Sequence, residues 1–411
     1  MIRHIVITWN FTVIIEGWFW HVTDFHWDTT YNSTGLSCNR QTNRGEYGDP
    51  LCDSPWILIQ STSIYYFRDS VAHIKNNETS LEKNDFILGN ITELLNSSFP
   101  SSPLYATYGN HDYYPSNMYP PYGNELYNKT FEQWRHWIVG AEQEKTFRRG
   151  AYYTLKTAHG IRIVALNTNL YYKSDKVTEG LTDPAHQFSW LEGVLSSSRK
   201  LQEKVIITGH VPPAIAEEGG QPWMHMNFHN ELNNIILNFS DVIVGMHFGH
   251  QHIDDLKVYY KQDVPVAALF SAPSVTPWRY ITSTYDGPAR NPGIRLVKYD
   301  RQTGKHLDII QYYLDLQSSN ANNKTIWQKL YQMTSDYHLA DVTPSSIHAL
   351  VQRLKNAGSN EFRSFNKWRF VNIDRQCNSD CHTRVWCSLI HYQQNEFEKC
   401  MKPSHGPSAV G

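Results

Sequence analysis

Five short segments constrain this chain more than its composition does, because each sets metal-binding side chains directly behind an apolar run. The first is F-W-H-V-T-D-F-H at 19–26, the second carries Asp69 and His73, and the third is G-N-H-D at 109–112. T-G-H at 208–210 and G-H-Q-H at 249–252 complete the set. Apolar runs bounded by Gly, Asn and Asp read as strands entering turns. In an α/β sheet the carboxyl ends of strands converge on one crevice. A fold that obeys all five segments brings Asp24, His26, Asp69, Asn110, His210, His250 and His252 together. Any one of them alone reads as a satisfied core histidine or a loop-capping aspartate. The set supplies oxygen and nitrogen donors for two divalent cations side by side, and such pairs serve above all in phosphate-ester hydrolysis.

The intervening sequence supports a layered α/β fold. Strand-like runs recur at 18–23, 64–67, 104–108, 161–167, 204–208, 242–246 and 266–270, several of them continuously apolar, as in strands covered on both faces. Helical periodicity lies between them at 85–96, 129–138, 184–197 and 227–238, and Asp183 followed by Pro184 supplies an N-cap and a proline at the first helical position. Alternation of this kind predicts a layered α/β domain. Beyond residue 310 the pattern changes to helices over 314–333 and 344–357 and a cysteine-rich end. The expected organisation is a main α/β domain over 18–310 and a small helical subdomain over 311–411 stapled by disulfides. Residues 1–17 read as a degenerate signal segment, a short basic start and an apolar stretch broken by Asn10 and Thr12.

Charge and cysteine usage narrow the setting. A formal net charge of −2 over 411 residues offers no electrostatic grip on a nucleic-acid polymer. No later stretch approaches the ~20 apolar residues of a transmembrane anchor. Twenty histidines point to metal or proton chemistry. The six cysteines, Cys38, Cys52, Cys377, Cys381, Cys387 and Cys400, form no C-x-x-C knuckle, and four crowd the end of the chain. That distribution predicts disulfides, with chain order favouring Cys38–Cys52, Cys377–Cys381 and Cys387–Cys400. Glycosylation sequons at Asn10, Asn32, Asn77, Asn90, Asn96, Asn128, Asn238 and Asn323 agree with an oxidising compartment. The expectation is a monomeric secreted or lysosomal protein.

The order D-x-H, D, G-N-H-D, G-H, G-H-x-H resembles that of the calcineurin-like metallophosphoesterases. Finer features narrow the resemblance to acid sphingomyelinase and the acid sphingomyelinase-like phosphodiesterases. They are F-W-H-V-T-D at 19–24, G-D-P-L-C-D-S-P-W at 48–56, N-T-N-L-Y-Y at 167–172, G-H-V-P-P at 209–213, S-V-T-P-W at 274–278 and N-P-G-I-R at 291–295. The absence of a saposin-type segment before Trp18 favours the "like" branch. The resemblance implies a four-layer α/β/β/α sandwich over 18–310. It implies one zinc on Asp24, His26, Asp69 and His252, and a second on Asp69, Asn110, His210 and His250, with other divalent metals able to replace zinc. A hydroxide between the cations would attack phosphorus, since metals lower the pKa of bound water to about 7. His111 would protonate the leaving oxygen with Asp112 orienting it, His73 would lie near the leaving group, and Asp254 would stand behind a ligand imidazole. Sphingomyelin-type lipids or soluble nucleotide or CDP-choline-type diesters are the implied substrates.

One segment departs from the pattern. Family members read W-T-G-D where this chain has Tyr66, Phe67 and Arg68 before Asp69, and S-P-W at 54–56 runs almost directly into it. Parallel neighbours need a crossover of about a dozen residues, so a helix and part of a strand are missing. If 64–67 replaces the lost strand, Asp69 still bridges the cations. If not, the alternative is an extracellular binding or decoy protein with impaired catalysis. Lesser signals are the helix-spaced pair His225 and His229, read as ordinary surface histidines, His247, read as structural, and Gln251, read as a spacer. Tyr108, Tyr113, Tyr114, Trp223, Trp278 and Tyr280 are candidates for a pocket wall that receives choline or a nucleobase.

Overall fold

The computed structural model describes residues 15–32, 44–62, 69–281 and 287–402. Its strands are β1 (Glu16–His21), β2 (Tyr153–Lys156), β3 (Arg162–Ala165), β4 (Val205–Thr208), β5 (Ile243–Phe248), β6 (Asp255–Lys261), β7 (Val264–Ser271), β8 (Gly293–Asp300), β9 (His306–Leu314) and β10 (Trp327–Gln332). The helices of the first part are α1 (Trp56–Ser61), α2 (Leu81–Ser98), α3 (Glu125–Trp134), α4 (Ala141–Gly150), α5 (Gln187–Lys200) and α6 (Met226–Asn238). The C-terminal part adds α7 (Leu316–Asn322), α8 (Met333–Asp336), α9 (Pro344–Leu354), α10 (Asn360–Arg369), α11 (Ser379–Ile390) and α12 (Gln394–Met401).

Two sheets face each other with helices outside, an α/β/β/α arrangement. The larger has the order β2-β3-β4-β5-β7-β6, with parallel pairing from β3 through β4 and β5 to β7 and antiparallel strands at both edges. β4 is buried at all four of its residues, which is why V-I-I-T reads as continuously apolar rather than alternating. The smaller sheet is antiparallel in the order β1-β8-β9-β10. Val297 and Ile309 of the smaller sheet share a core cluster with Leu256, Val258 and Phe270 of the larger, and with Ile347, Leu350, Phe365 and Val385 of α9 to α11. The C-terminal helices therefore share this core cluster with strands of both sheets.

Several sequence expectations are corrected. Residues 104–108 are in no strand ladder among the described residues, although Leu104, Ala106 and Tyr108 are buried. The helix expected over 184–197 starts at Gln187, because Ala185 and His186 take left-handed φ values of 57°. Asp183 still caps it, accepting from the Phe188 and Ser189 N–H groups at 2.8 and 3.1 Å. The helix expected over 314–333 is broken: Asn323, at φ 52°, ends α7, and W-Q-K-L-Y-Q turns back as β10 against β9. Aromatic and alternating residues won there over a weak helical period. β9 runs across the boundary expected at 310/311. The 64–67 segment, Arg68 and Cys38 lie outside the described residues.

Cys377 is bonded to Cys381 and Cys387 to Cys400, which pins the start of α11 and joins its end to α12. Cys52 is buried and disulfide-bonded. Asn32, Asn77, Asn128, Asn238 and Asn323 are exposed, and Asn90 and Asn96 are half-buried. Among the described residues, no helix is long and apolar enough to cross a membrane.

Candidate metal centre

The seven expected ligands meet where β1, β4 and β5 end. Asp24 and His26 follow β1, His210 follows β4, and His250 and His252 follow β5, while Asp69 and Asn110 come from loops. The backbone there is unusual. Asp24 (φ 56°), His26 (46°), Asp69 (52°), His250 (72°) and His252 (59°) all occupy the left-handed region. Non-glycine residues rarely take it, and such conformations cluster where a site over-determines them. Two glycines let the loops close. A Cβ on Gly109 would lie 2.1 Å from the Asp69 Cβ, and one on Gly249 would lie 2.0 Å from the Thr23 hydroxyl.

The donors form one contiguous pool. Asp69 Oδ2 lies 3.3 Å from His26 Nε2 and 3.2 Å from His210 Nε2. On one side of it, His26 Nε2 is 3.1 Å from His252 Nε2, which is 3.3 Å from Asp24 Oδ1. On the other, Asn110 Oδ1 is 2.9 Å from His210 Nε2 and 2.8 Å from His250 Nδ1. A single oxygen of Asp69 thus faces both groups. Oδ1 instead accepts from the His111 N–H at 3.0 Å. His26 Nδ1 donates to the Val71 carbonyl at 2.7 Å, so Nε2 is the nitrogen left for the centre.

The electrostatics fit a cation. Burial by itself raises the Asp24 carboxyl, but the surrounding His252, His26 and His210 imidazoles hold it well below the usual range. Burial opposes ionisation of Asp69 too, and His26 and His210 outweigh it, so its carboxyl is also lowered. Burial pushes His26 down, yet Asp69 and then Asp24 and Asp53 lift it to about 10. The His26 proton balances a concentration of buried negative charge that divalent cations would neutralise instead. Burial depresses His250 and His252, leaving both as neutral donors. A separate close grouping of ligand atoms joins His73 to His26 and His252 within 4.8 Å.

The remaining expected residues divide. His111 is near the centre, its ring 5.3 Å from His26 and 4.4 Å from His73, and burial pushes its imidazole down to about 4. Its Nδ1 is buried without a hydrogen-bond partner among the described residues. Asp112 does not orient it. Its carboxylate accepts from the backbone N–H groups of Ser70, Val71 and Gly109 at 2.7, 3.1 and 2.8 Å, tying the Asp69 segment to the 109–112 turn. Burial, then the Asp69 charge, push this carboxyl up to about 7. Asp254 stands behind no ligand imidazole: Arg295 and the Tyr331 hydroxyl take its oxygens. His225 and His229 bond the carbonyls of Asp175 and Tyr392, and His229 is fully buried rather than on the surface; His247 sits between His21 and His306 in the core.

Two residues escaped sequence reasoning. Asp53 pairs with His73, although the motif at 48–56 was visible. Gln251 is no spacer, since its amide, turned so that oxygen and nitrogen each meet a suitable partner, accepts from Trp223 Nε1 at 2.8 Å and donates to Asp255 at 3.0 Å. Of the candidate pocket aromatics, Trp223 meets His250 edge-on at 4.7 Å and Trp278 stacks on His73, with half-exposed Tyr280 beside it. Tyr108 is core.

The chain matches the calcineurin-like phosphoesterase family over residues 17–254 and the acid sphingomyelin phosphodiesterase C-terminal region over 264–406. It is 33% identical to acid sphingomyelinase-like phosphodiesterase 3b of Mus musculus, covering 96% of this chain and 91% of that protein. It is 34% identical to cyclic GMP-AMP phosphodiesterase SMPDL3A of Homo sapiens, covering 94% and 90%. Sphingomyelinase phosphodiesterase C of Dictyostelium discoideum is 28% identical, covering 94% and 93%. The chain belongs to the calcineurin-like metallophosphoesterases and, within them, to the acid sphingomyelinase-like phosphodiesterases. Its enzyme class is that of a metal-dependent phosphoric diester hydrolase.

Proposed function

We propose that the protein is a secreted, monomeric two-zinc phosphodiesterase acting on small diesters of the nucleotide or choline type. The observation that carries this reading is the position of Asp69 Oδ2, 3.3 Å from His26 Nε2 and 3.2 Å from His210 Nε2. Asp24, His26, Asp69 and His252 would hold one zinc, and Asp69, Asn110, His210 and His250 the other. When bound, the cations supply an activated water and neutralise charge on the phosphoryl oxygens. His111 is the proton donor: its backbone N–H on Asp69 Oδ1 fixes it at the centre, and its ring lies 5.3 Å from that of His26. Asp112 holds the two ligand-bearing turns together. Trp278, Tyr280 and Trp223 border the centre with aromatic surface suited to a nucleobase or a quaternary ammonium. The two C-terminal disulfides and the accessible sequons support secretion.

The test is elemental analysis of the purified protein together with turnover of a dinucleoside monophosphate, whose leaving oxygen needs a proton. About two zincs per chain are expected, with turnover reduced about 10²- to 10⁴-fold in His111→Ala. Less than one zinc per chain and no turnover would refute the reading.

A further inference from the structure

The motif G-D-P-L-C-D-S-P-W at 48–56 sends one side chain to the centre that neither the ligand set nor the proton donor employs. Asp53 is buried behind His73. Its Oδ2 accepts from the His73 backbone N–H at 2.6 Å, and its Oδ1 lies 2.9 Å from His73 Nδ1. The Thr276 hydroxyl donates to the same Oδ1 at 3.2 Å, and the Thr276 N–H donates to the Asp24 carbonyl at 3.0 Å. The pair is thereby tied to the turn that carries the first ligand. The His73 ring lies flat on Trp278, with centroids 3.8 Å apart and planes 14° apart. Around the ring stand His26 at 3.9 Å and His111 at 4.4 Å.

One carboxylate that grips both the backbone and the ring of the same residue leaves that ring little rotational freedom. A carboxylate only accepts, so His73 Nδ1 carries the hydrogen and Nε2, across the ring, is turned away from Asp53. Burying a carboxylate is costly unless its bonds are required, and Asp53 is among none of the proposed metal ligands. We propose that Asp53 is a positioning residue that holds His73 in the Nδ1–H tautomer, with Nε2 presented to the phosphoryl group of the substrate. The assignment rests on the phosphodiesterase reading. Trp278 sets the ring plane, Asp53 sets which nitrogen faces inward, and Thr276 links both to the Asp24 turn.

The test uses the full zinc-loaded chain as wild type, Asp53→Asn, His73→Gln and the double variant. It combines histidine ¹⁵N NMR, zinc content and steady-state kinetics on the dinucleoside monophosphate. The resonance missing from His73→Gln identifies His73, and it is expected to show the Nδ1–H tautomer in wild type and to change in Asp53→Asn. Turnover number should fall roughly tenfold to a hundredfold in Asp53→Asn, with KM and zinc content unchanged, and the double variant should be no slower than His73→Gln. An Nε2–H tautomer in wild type would overturn the proposal, and that spectrum decides even if Asp53→Asn does not fold. An unchanged turnover number in Asp53→Asn, or additive losses in the double variant, would overturn it as well. Wild type that carries two zincs, shows the Nδ1–H tautomer and hydrolyses no diester would count against the phosphodiesterase reading, not the Asp53–His73 pairing.

Discussion

Replacing Asp112 tests whether the centre is held by backbone hydrogen bonds as much as by ligands. Three N–H groups, from Ser70, Val71 and Gly109, converge on this carboxylate at 2.7 to 3.1 Å. Asp112, Ser70 and Val71 are almost fully buried, so water does not readily replace it. Leaving a buried donor unsatisfied costs about 1–3 kcal/mol. Asp112→Ala orphans all three and should cost about 3 kcal/mol or more, a large share of the 5–15 kcal/mol typical of a domain. Asp112→Asn should cost less. The Ser70 and Val71 groups share Oδ1, which an amide oxygen can replace, while the Gly109 group faces Oδ2 and would meet an amide NH₂. The loss there is about 1–3 kcal/mol. Urea unfolding followed by tryptophan fluorescence, with zinc chelated so that metal does not mask the defect, measures both. An Ala variant within about 0.5 kcal/mol of wild type, or an Asn variant as damaged as Ala, would refute this account of the clasp.

Zinc binding should weaken as pH falls, because the His26 imidazole, raised to about 10, is protonated in the metal-free centre at neutral pH and must lose that proton to bind. Competition with a chelator should show affinity rising about tenfold per pH unit per proton released, and a pH-independent affinity would contradict it. Arg295→Met strands the buried Asp254 carboxylate and should cost about 3–5 kcal/mol, whereas adding Asp254→Asn should recover part of that loss; thermal unfolding of the single and double variants checks the pairing. Removing the Cys387–Cys400 bond by serine substitution opens a loop of sequence separation 13 and should cost about 2–4 kcal/mol, seen as earlier unfolding in urea.

The sequence carried the centre better than the frame around it. The candidate ligands follow strands in short motifs, so Asp24, His26, His210, His250 and His252 could be read from local spacing, and the structure brings them together at the ends of β1, β4 and β5. β10 was lost because W-Q-K-L-Y-Q is stabilised by β9, a partner that local periodicity cannot reveal. Residues 104–108 have strand composition but no ladder partner among the described residues. Asp53, Gln251 and the true duties of Asp112 and Asp254 were illegible for one shared reason. Each acts through a contact distant in sequence, such as the 20 residues between Asp53 and His73 or the 41 between Asp254 and Arg295. A motif shows which residues are present, not which of them clasp one another.

The shortened stretch before Asp69 looked damaging because position was taken to come from the chain leading into the residue. The backbone bonds locate Asp69 from the other side. The His26 N–H donates to the Asp69 carbonyl at 3.1 Å, and the Trp27 N–H donates to the Ser70 carbonyl at 2.8 Å. His26 Nδ1 meets the Val71 carbonyl at 2.7 Å, and Trp27 bridges to Val71 in parallel register. Asp112 then takes the Ser70 and Val71 N–H groups from the opposite flank. The Asp69 carboxylate is therefore fixed by Ser70 and Val71 on its C-terminal side and by the D-x-H turn, so a change in the preceding residues reaches Asp69 only by straining these bonds. On this reasoning the clasp at Asp112 matters more to the centre than the glycine that this chain lacks at position 68. That ranking also explains why Asp24, His26, Asp69, His250 and His252 tolerate left-handed backbone: the turns that carry them are bonded to one another across the centre, and each holds its neighbour in a conformation that none would keep alone.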